Sequence, residues 1–140
     1  MKIALASDHA GFELKEALKA YLAPDHDLID LGTKSTDSVD YPEFGKAMGI
    51  TMSGDDAPDF GILVCGSGIG ISIAANRFPS TRAALCITPE MAALARQHND
   101  ANVVSLGARL TDLDTAKEIV TTFLNTAFEG GRHQRRVDML

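Results

Sequence analysis

The feature of this sequence that most constrains its fold is a regular alternation of short apolar runs and segments with helical periodicity. The apolar runs are rich in Ile, Leu and Val, as expected for strands buried on both faces of a sheet. Helical segments follow them, most clearly Leu14 to Leu22 and Ala116 to Leu124. The five runs are Ile3 to Ala6, Leu28 to Leu31, Phe60 to Val64, Ala83 to Ile87 and Val103 to Leu106.

Strands that alternate with helices pair in parallel through right-handed crossovers. We therefore predict an α/β fold: a single doubly wound domain, Rossmann-like or flavodoxin-like, with a five-stranded parallel sheet and helices on both faces. A chain of 140 residues is the size of one domain. Residues 1–140 are expected to form it, with 128–140 as a basic C-terminal tail.

Ligands of such sheets bind beyond the carboxyl ends of the strands, at the point where the strand order reverses. In a sheet of order 2-1-3-4-5, the first and third strands are neighbours at that point. The loop Ser7-Asp8-His9 would then face the loop from Cys65 to Gly70 across one crevice.

The second of these loops has glycines at alternate positions, Gly66, Gly68 and Gly70. Glycines between a strand and a helix let backbone N–H groups converge on an anion, and the helix N-terminus adds partial positive charge. The loop is not a P-loop, because no Gly-Lys-Ser/Thr follows, and Ile71 replaces the third glycine of a dinucleotide fingerprint. By itself the pattern is equally compatible with a tight turn that serves packing alone.

Cys65 ends the third apolar run directly before the glycines. A thiol beside a helix N-terminus has its thiolate favoured, which suits a base or nucleophile, although Cys65 could simply continue a buried strand, as we expect for Cys86. The two cysteines lack CxxC spacing, so neither a zinc site nor a disulfide framework is predicted. Ser67 offers a hydroxyl to a bound oxygen, but serine in such a turn commonly serves the turn itself.

The formal net charge of -6 argues against a nucleic acid or an anionic membrane as partner. The N-terminal apolar run is too short for a secretory signal, and no run approaches the ~18 residues of a membrane span, so a soluble cytoplasmic protein is expected. Any anion must be bound locally. Arg132 and Arg136 would share one face of a helical tail, where paired guanidiniums match a phosphate, although terminal charges are commonly just solvated.

Chain order places a second group of polar residues away from the crevice. His98 and Asn99 precede the fifth strand and Arg132 follows the fifth helix, so these residues belong at the amino ends of the strands. A lone loop histidine is most often a surface group. If these residues are functional, they complete the crevice of another chain, and the protein is at least a dimer.

The motifs resemble those of the type B ribose-5-phosphate isomerases, a family grouped with the galactose-6-phosphate isomerase subunits. The resemblance covers nearly the whole chain. It rests on Ser7-Asp8-His9-Ala10-Gly11, Asp40-Tyr41-Pro42, the stretch from Cys65 to Asn76, Arg96-Gln97-His98-Asn99, Leu106-Gly107-Ala108-Arg109 and the stretch from Gly130 to Val137.

The resemblance implies an aldose-ketose isomerase of the pentose phosphate pathway that interconverts ribose 5-phosphate and ribulose 5-phosphate through a cis-enediolate, with no cofactor or metal. It implies Cys65 as the base, His98 as the acid in ring opening, and the Ser67 hydroxyl beside the developing enediolate. It further implies a homodimer or dimer of dimers with sites shared across the interface. The substrate-binding residues that it implies are Asp8, His9, Tyr41, Gly66, Gly68, Ile69, Gly70, Asn99, Arg109, Arg132 and Arg136.

Alternative functions differ in substrate or in chemistry. They are an isomerase of a hexose 6-phosphate of the allose or galactose type, a non-catalytic phosphosugar-binding domain and, more weakly, a flavodoxin-like nucleotide module. Many relatives have Thr at the position of Ser67, and others use a carboxylate where this chain has Ile71. The galactose-type enzymes divide the catalytic features between two chains, whereas this chain has Cys65, His98 and both tail arginines, which favours a self-sufficient homo-oligomer acting on a pentose phosphate.

Overall fold

The computed structural model describes residues 1–140 and contains one parallel sheet of five strands flanked by six helices. The predicted α/β architecture is confirmed. The strands are β1 (Lys2–Ser7), β2 (Asp27–Asp30), β3 (Phe60–Cys65), β4 (Ala83–Leu85) and β5 (Val103–Gly107). The helices are α1 (Phe12–Leu22), α2 (Tyr41–Met52), α3 (Ile69–Ala75), α4 (Pro89–Asn99), α5 (Leu113–Asn125) and α6 (Arg132–Val137).

The strand order is β2-β1-β3-β5-β4, so the order 2-1-3-4-5 was wrong at one edge. β5 pairs with β3, and β4 lies outside β5. All five residues of β5 are buried, whereas the three residues of β4 are only half-buried. The longer and more apolar strand therefore takes the interior position, where both faces are covered. β4 also ends two residues earlier than predicted, at Leu85.

The core lies in two layers, one on each face of the sheet. Successive strand residues point to opposite faces, so Ile3 and Leu5 pack with α1, α4 and α5, while Ala4 and Ala6 pack with α2 and α3. Cys65 belongs to the second, smaller layer. Helices on both faces bury the three central strands β1, β3 and β5, as their near-continuous apolar sequences require.

β1 and β3 are neighbours, with Ser7 opposite Val64 near their carboxyl ends. The helix that follows β1 covers one face of the sheet and the helix that follows β3 covers the other. The two strand-helix loops therefore diverge, which leaves a crevice between them.

The C-terminal tail forms α6, which packs on α4. Arg96, in α4, is buried and donates to the carbonyl oxygens of Ala101 at 2.6 Å and Thr126 at 3.2 Å. These bonds fasten the end of α4 to the chain that leads into the tail. None of the six helices combines the length and the hydrophobicity needed to span a membrane.

Candidate active site

A cavity of about 330 Å³ opens at the carboxyl ends of β1 and β3. It brings together residues from three separate loops and the first turn of α2. Its lining residues are Asp8, His9, Ala10, Tyr41, Cys65, Gly66, Ser67, Gly70, Arg109 and Leu110.

The Cys65 side chain lies at the end of β3 and is directed into the loop that follows. Its Sγ accepts a hydrogen bond from the backbone N–H of Gly68 at 3.0 Å. Gly68 adopts φ 77° in the tight turn that carries this N–H, a conformation that favours glycine. Such a donor interacts more strongly with a thiolate than with a neutral thiol.

The loop after Cys65 is held in place by the segment after β5. The N–H of Ala108 donates to the Cys65 carbonyl at 2.8 Å, and the N–H of Arg109 donates to the Gly66 carbonyl at 3.0 Å. The guanidinium of Arg109 lies against Gly66, where a Cβ would be 3.0 Å from Nη1. Two loops from adjacent strands therefore form one rigid wall of the cavity, with a cation on it.

Of the two predicted site residues Ser67 and Ile69, only Ser67 lines the cavity. The Ser67 hydroxyl lines the cavity and accepts from the N–H of Ile69 at 3.2 Å, so it also serves the turn. The Ile69 side chain is exposed and does not line the cavity. Gly68 does not line the cavity either. Its contribution to the site is the N–H that donates to the Cys65 Sγ.

The opposite wall is formed by Asp8 and His9. Asp8 is buried, and its Oδ1 accepts from the N–H of Gly11 at 3.0 Å, which fixes the turn into α1. The Nδ1 of His9 lies 3.2 Å from the Val39 N–H and 3.1 Å from the Val39 carbonyl. The Val39 backbone thus fixes the imidazole through Nδ1 in either tautomer and leaves Nε2 for another partner.

Tyr41 covers the cavity from the start of α2. Its ring lies over Gly70, where an added Cβ would be 2.5 Å from the tyrosine Cζ. Only a glycine permits this approach. The half-exposed ring therefore closes one side of the cavity beside the glycine loop.

Four predicted site residues lie elsewhere: His98, Asn99, Arg132 and Arg136 do not line this cavity. His98 and Asn99 end α4, and the two arginines lie on the exposed face of α6. Chain order predicted this separation, since α4 and the tail both return to the amino ends of the strands.

The sequence did not indicate several residues that lie beside the cavity residues or beside the group on α4 and α6. Ala10 and Leu110 line the cavity, but as apolar neighbours of predicted residues they gave no chemical signal. His133 stacks on His98 with ring centroids 4.4 Å apart and planes inclined by 15°. Burial, together with the positive charge of a protonated His98 and of Arg132, lowers the pKa of His133.

One group of side chains has metal-ligating atoms close together, and it lies outside the cavity. The ligand atoms of His98, Glu129 and His133 are all within 4.8 Å of one another. Within the cavity itself the thiol, the hydroxyl and the backbone N–H groups instead suit the binding of an oxyanion beside a base.

Known proteins share this arrangement of sequence and fold. Ribose-5-phosphate isomerase B of Escherichia coli strain K12 is 46% identical over 140 residues, which cover 99% of this chain and 93% of that protein. A probable ribose-5-phosphate isomerase B of Mycoplasma genitalium is 43% identical over 141 residues, covering 99% and 92%.

Solved structures agree closely with the fold. A ribose 5-phosphate isomerase from Thermotoga maritima has a TM-score of 0.95 at 53% identity, covering 99% of this chain and 95% of that chain. Ribose-5-phosphate isomerase B from Mycoplasma genitalium with bound ribulose 5-phosphate has a TM-score of 0.92 at 41% identity, covering 99% and 92%. Residues 3–140 also match the sequence family described as Ribose/Galactose Isomerase. With sequence, fold and nearly the full length in agreement, this chain belongs to the ribose/galactose isomerase family.

Proposed function

We propose that this protein interconverts ribose 5-phosphate and ribulose 5-phosphate through a cis-enediolate, with Cys65 as the base. The observation that carries this proposal is the Cys65 thiol at the edge of a cavity that is also lined by the glycine loop. Family membership limits the chemistry to sugar-phosphate isomerisation, and relatives named for this substrate align over nearly the whole chain.

The reaction requires two proton transfers in the open-chain sugar, one from C2 to C1 and one from the C2 hydroxyl to the C1 oxygen. The Cys65 thiolate takes the proton from C2 of ribose 5-phosphate, which leaves an enediolate, and returns it to C1 while the hydroxyl proton passes from O2 to O1, which leaves ribulose 5-phosphate. The negative charge develops on the sugar oxygens, where the loop Gly66–Gly70 and the Ser67 hydroxyl supply fixed donors. No net oxidation occurs, because one carbon is oxidised as its neighbour is reduced.

The remaining binding roles are those that the family resemblance implies for residues that line the cavity. Asp8 holds the ring oxygens, Tyr41 lines the sugar, and His9 and Arg109 bind the phosphate. Arg109 is the only arginine or lysine that lines the cavity. A phosphate dianion bound by His9 and one guanidinium would be incompletely neutralised, which favours a further source of positive charge.

That source is proposed to be a second copy of the chain. Its Arg132 and Arg136 would complete the phosphate site, its His98 would donate the proton that opens the ring, and its Asn99 would contact the sugar. In one chain these residues lie at the opposite end of the sheet from the cavity. We therefore propose a homodimer, alone or paired into a tetramer, with two sites that each use both chains.

Proton NMR of ribose 5-phosphate in heavy water tests the activity and the base together. The unmodified protein is expected to produce ribulose 5-phosphate with deuterium at the exchanging carbon. Cys65→Ala should abolish conversion, while Cys86→Ala, which removes the other buried thiol, should retain it. Conversion by the Cys65 variant would refute the role of this thiol.

The same experiment separates the alternative substrates. A protein that leaves ribose 5-phosphate unchanged but isomerises allose 6-phosphate or galactose 6-phosphate would refute the pentose assignment. Broadening of the ribose 5-phosphate resonances with no conversion of any sugar phosphate would instead indicate a binding domain.

A further inference from the structure

The ends of α4 and α6 carry two imidazoles whose ring nitrogens make no hydrogen bond within the chain. The His133 side chain is only 10% exposed, and its Nε2 lies 3.6 Å from the Glu129 carboxylate, beyond hydrogen-bond distance. His98 stacks directly on the His133 ring. Neither ring nitrogen of these residues is a buried atom without a partner, so solvent reaches the nitrogens and they are free to bind a ligand.

Backbone contacts assemble these three side chains in advance. The N–H of Glu129 donates to the Gln97 carbonyl at 3.2 Å, which holds Glu129 beside the residue that precedes His98. The N–H of His133 donates to the Gly130 carbonyl at 3.0 Å and begins α6. The first bond thus fixes the segment to the end of α4, and the second bond shapes the turn into α6.

We propose that His98, Glu129 and His133 form a binding site for zinc or a similar transition-metal dication. Their ligand atoms already lie within 4.8 Å of one another. A tetrahedral zinc ion with bonds of about 2.1 Å requires about 3.4 Å between its ligands. Glu129 is exposed and free to rotate. Because a ring nitrogen binds a metal in the plane of its ring, the two imidazoles must turn out of their stacked arrangement when the ion binds.

The ligand atoms of the three side chains determine which metal ions the site favours. Two imidazoles and one carboxylate suit zinc, nickel or copper, whereas magnesium and calcium prefer oxygen ligands alone. Arg132 and Arg136 oppose a dication, but both are exposed and their charge is screened by solvent and salt. Three protein ligands leave the fourth position open to water or to an anion.

Occupancy of this site would inhibit the enzyme, a consequence that rests on the proposed function. A His98 nitrogen bound to a metal carries no proton to donate, so it cannot open the sugar ring in the cavity of the second chain. The metal and the sugar phosphate would also occupy the same region, so the inhibition should be competitive and reversed by a chelator.

Titration with cobalt(II) tests the site without reference to activity, because its visible absorption reports coordination number and ligand type. We expect the bands of four-coordinate cobalt with no sulfur-to-metal charge-transfer band. Glu129→Gln should weaken cobalt binding at least ~10-fold, as should His133→Asn as an independent second variant. Glu118→Gln makes the same charge change at an exposed position in α5 and should leave binding unchanged.

Competing outcomes overturn the proposal. A charge-transfer band that disappears in Cys65→Ser, with no effect of Glu129→Gln, would place the metal at the thiol of the cavity. Binding only at millimolar cobalt, or equal binding by the Glu129 and Glu118 variants, would show that the three side chains form no site. Circular dichroism of each variant establishes that it is folded.

Kinetics with zinc then test the consequence. Zinc should raise the KM for ribose 5-phosphate and leave kcat unchanged, and Glu129→Gln should relieve this effect while keeping the activity measured without metal. If cobalt binds but zinc does not inhibit, the metal site is supported and its proposed effect on catalysis is refuted. A protein that binds cobalt but isomerises nothing would contradict the proposed function and leave the metal site supported.

Discussion

At the scale of single residues, the two cysteines show how position separates chemistry from packing. Both thiols are buried; Cys65 is the last residue of β3, and Cys86 directly follows β4. Cys65 nevertheless lines a cavity and accepts a hydrogen bond from Gly68, whereas burial raises the pKa of Cys86 to about 11. The thiolate of Cys86 is therefore scarce near neutral pH.

Iodoacetamide labelling near neutral pH should distinguish the two thiols. Cys65 is expected to react, because it is accessible from the cavity, and its modification should inactivate the protein. Cys86 is expected to react only after denaturation, since its thiol is buried and protonated. Peptide mass spectrometry gives the labelled fraction at each position. Equal labelling of both residues in the folded protein would contradict this expectation.

Gly68→Ala should destabilise the protein and reduce its activity together. Gly68 has φ 77°, and a Cβ there would lie 2.8 Å from the carbonyl carbon of Leu106, which as backbone cannot easily move. We expect a loss of roughly 1–3 kcal/mol in the free energy of unfolding, measured by urea denaturation. Gly54→Ala is the matched control, because its Cβ would meet Thr51 at an ordinary 3.6 Å. Similar losses in both variants would rule out this explanation.

At the scale of elements, an ion-pair network joins α1 to the end of β2. The buried Lys15 Nζ donates to both carboxylate oxygens of Asp30, at 2.9 and 3.1 Å. Burial alone would raise the pKa of Asp30, but hydrogen bonds from Lys19, Lys15 and the Gly32 N–H outweigh it and lower the pKa to about 2. Through the Gly32 N–H, the network also fixes the start of the segment that leads from β2 to Val39, whose backbone contacts His9.

Acid should therefore weaken this network. The carboxylate of Asp30 stabilises the fold above its ordinary pKa of 3.8, and the contribution is lost as the pH falls towards about 2. Asp30→Asn should lower the free energy of unfolding at pH 7 by roughly 1–2 kcal/mol, allowing for partial solvent screening.

Denaturation at a series of pH values measures this effect. Between pH 4 and 2, the free energy of unfolding of the Asp30 variant should fall by less than that of the unmodified protein. The difference should be roughly 1–2 kcal/mol. Asp55→Asn, in the polar turn after α2, removes a carboxylate that makes no ion pair and should change little. An unaltered acid dependence in the Asp30 variant would contradict the assigned contribution.

Much of the fold was predictable at this scale, because each strand and helix is marked by local hydrophobic periodicity. The order of β5 and β4 at the edge of the sheet was not predictable, because it depends on which strand gains more from burial in the interior position. Local pattern also could not assign Ala10 or Leu110 to the cavity, or pair His133 with His98. Those contacts arise only when distant segments pack.

At the scale of the whole molecule, the sheet separates the two groups of predicted site residues. Chain order alone predicted this separation, because His98 and Arg132 each precede or follow elements that return to the amino ends of the strands. The cavity residues and the α4–α6 residues cannot meet within one chain. The proposed dimer is therefore open to a direct test by subunit mixing.

Cys65→Ala and His98→Asn should each be inactive alone and regain activity when mixed. In a mixed dimer one site carries both defects, while the other has an intact Cys65 and an intact His98. Random exchange should restore about one quarter of the unmodified activity, because half the dimers are mixed and each has one intact site. Co-refolding the two variants and measuring isomerisation gives the result. No recovery after verified subunit exchange would place both residues of a site in the same chain.

The separation of these residues by the length of the sheet also has an evolutionary consequence. If the proposed dimer forms, then after gene duplication one copy could lose the thiol and the other could lose the basic tail, and the pair would still hold one complete site. Each loss alone would make the other copy indispensable. A two-gene enzyme can therefore arise from this architecture by decay, without the gain of a single new contact.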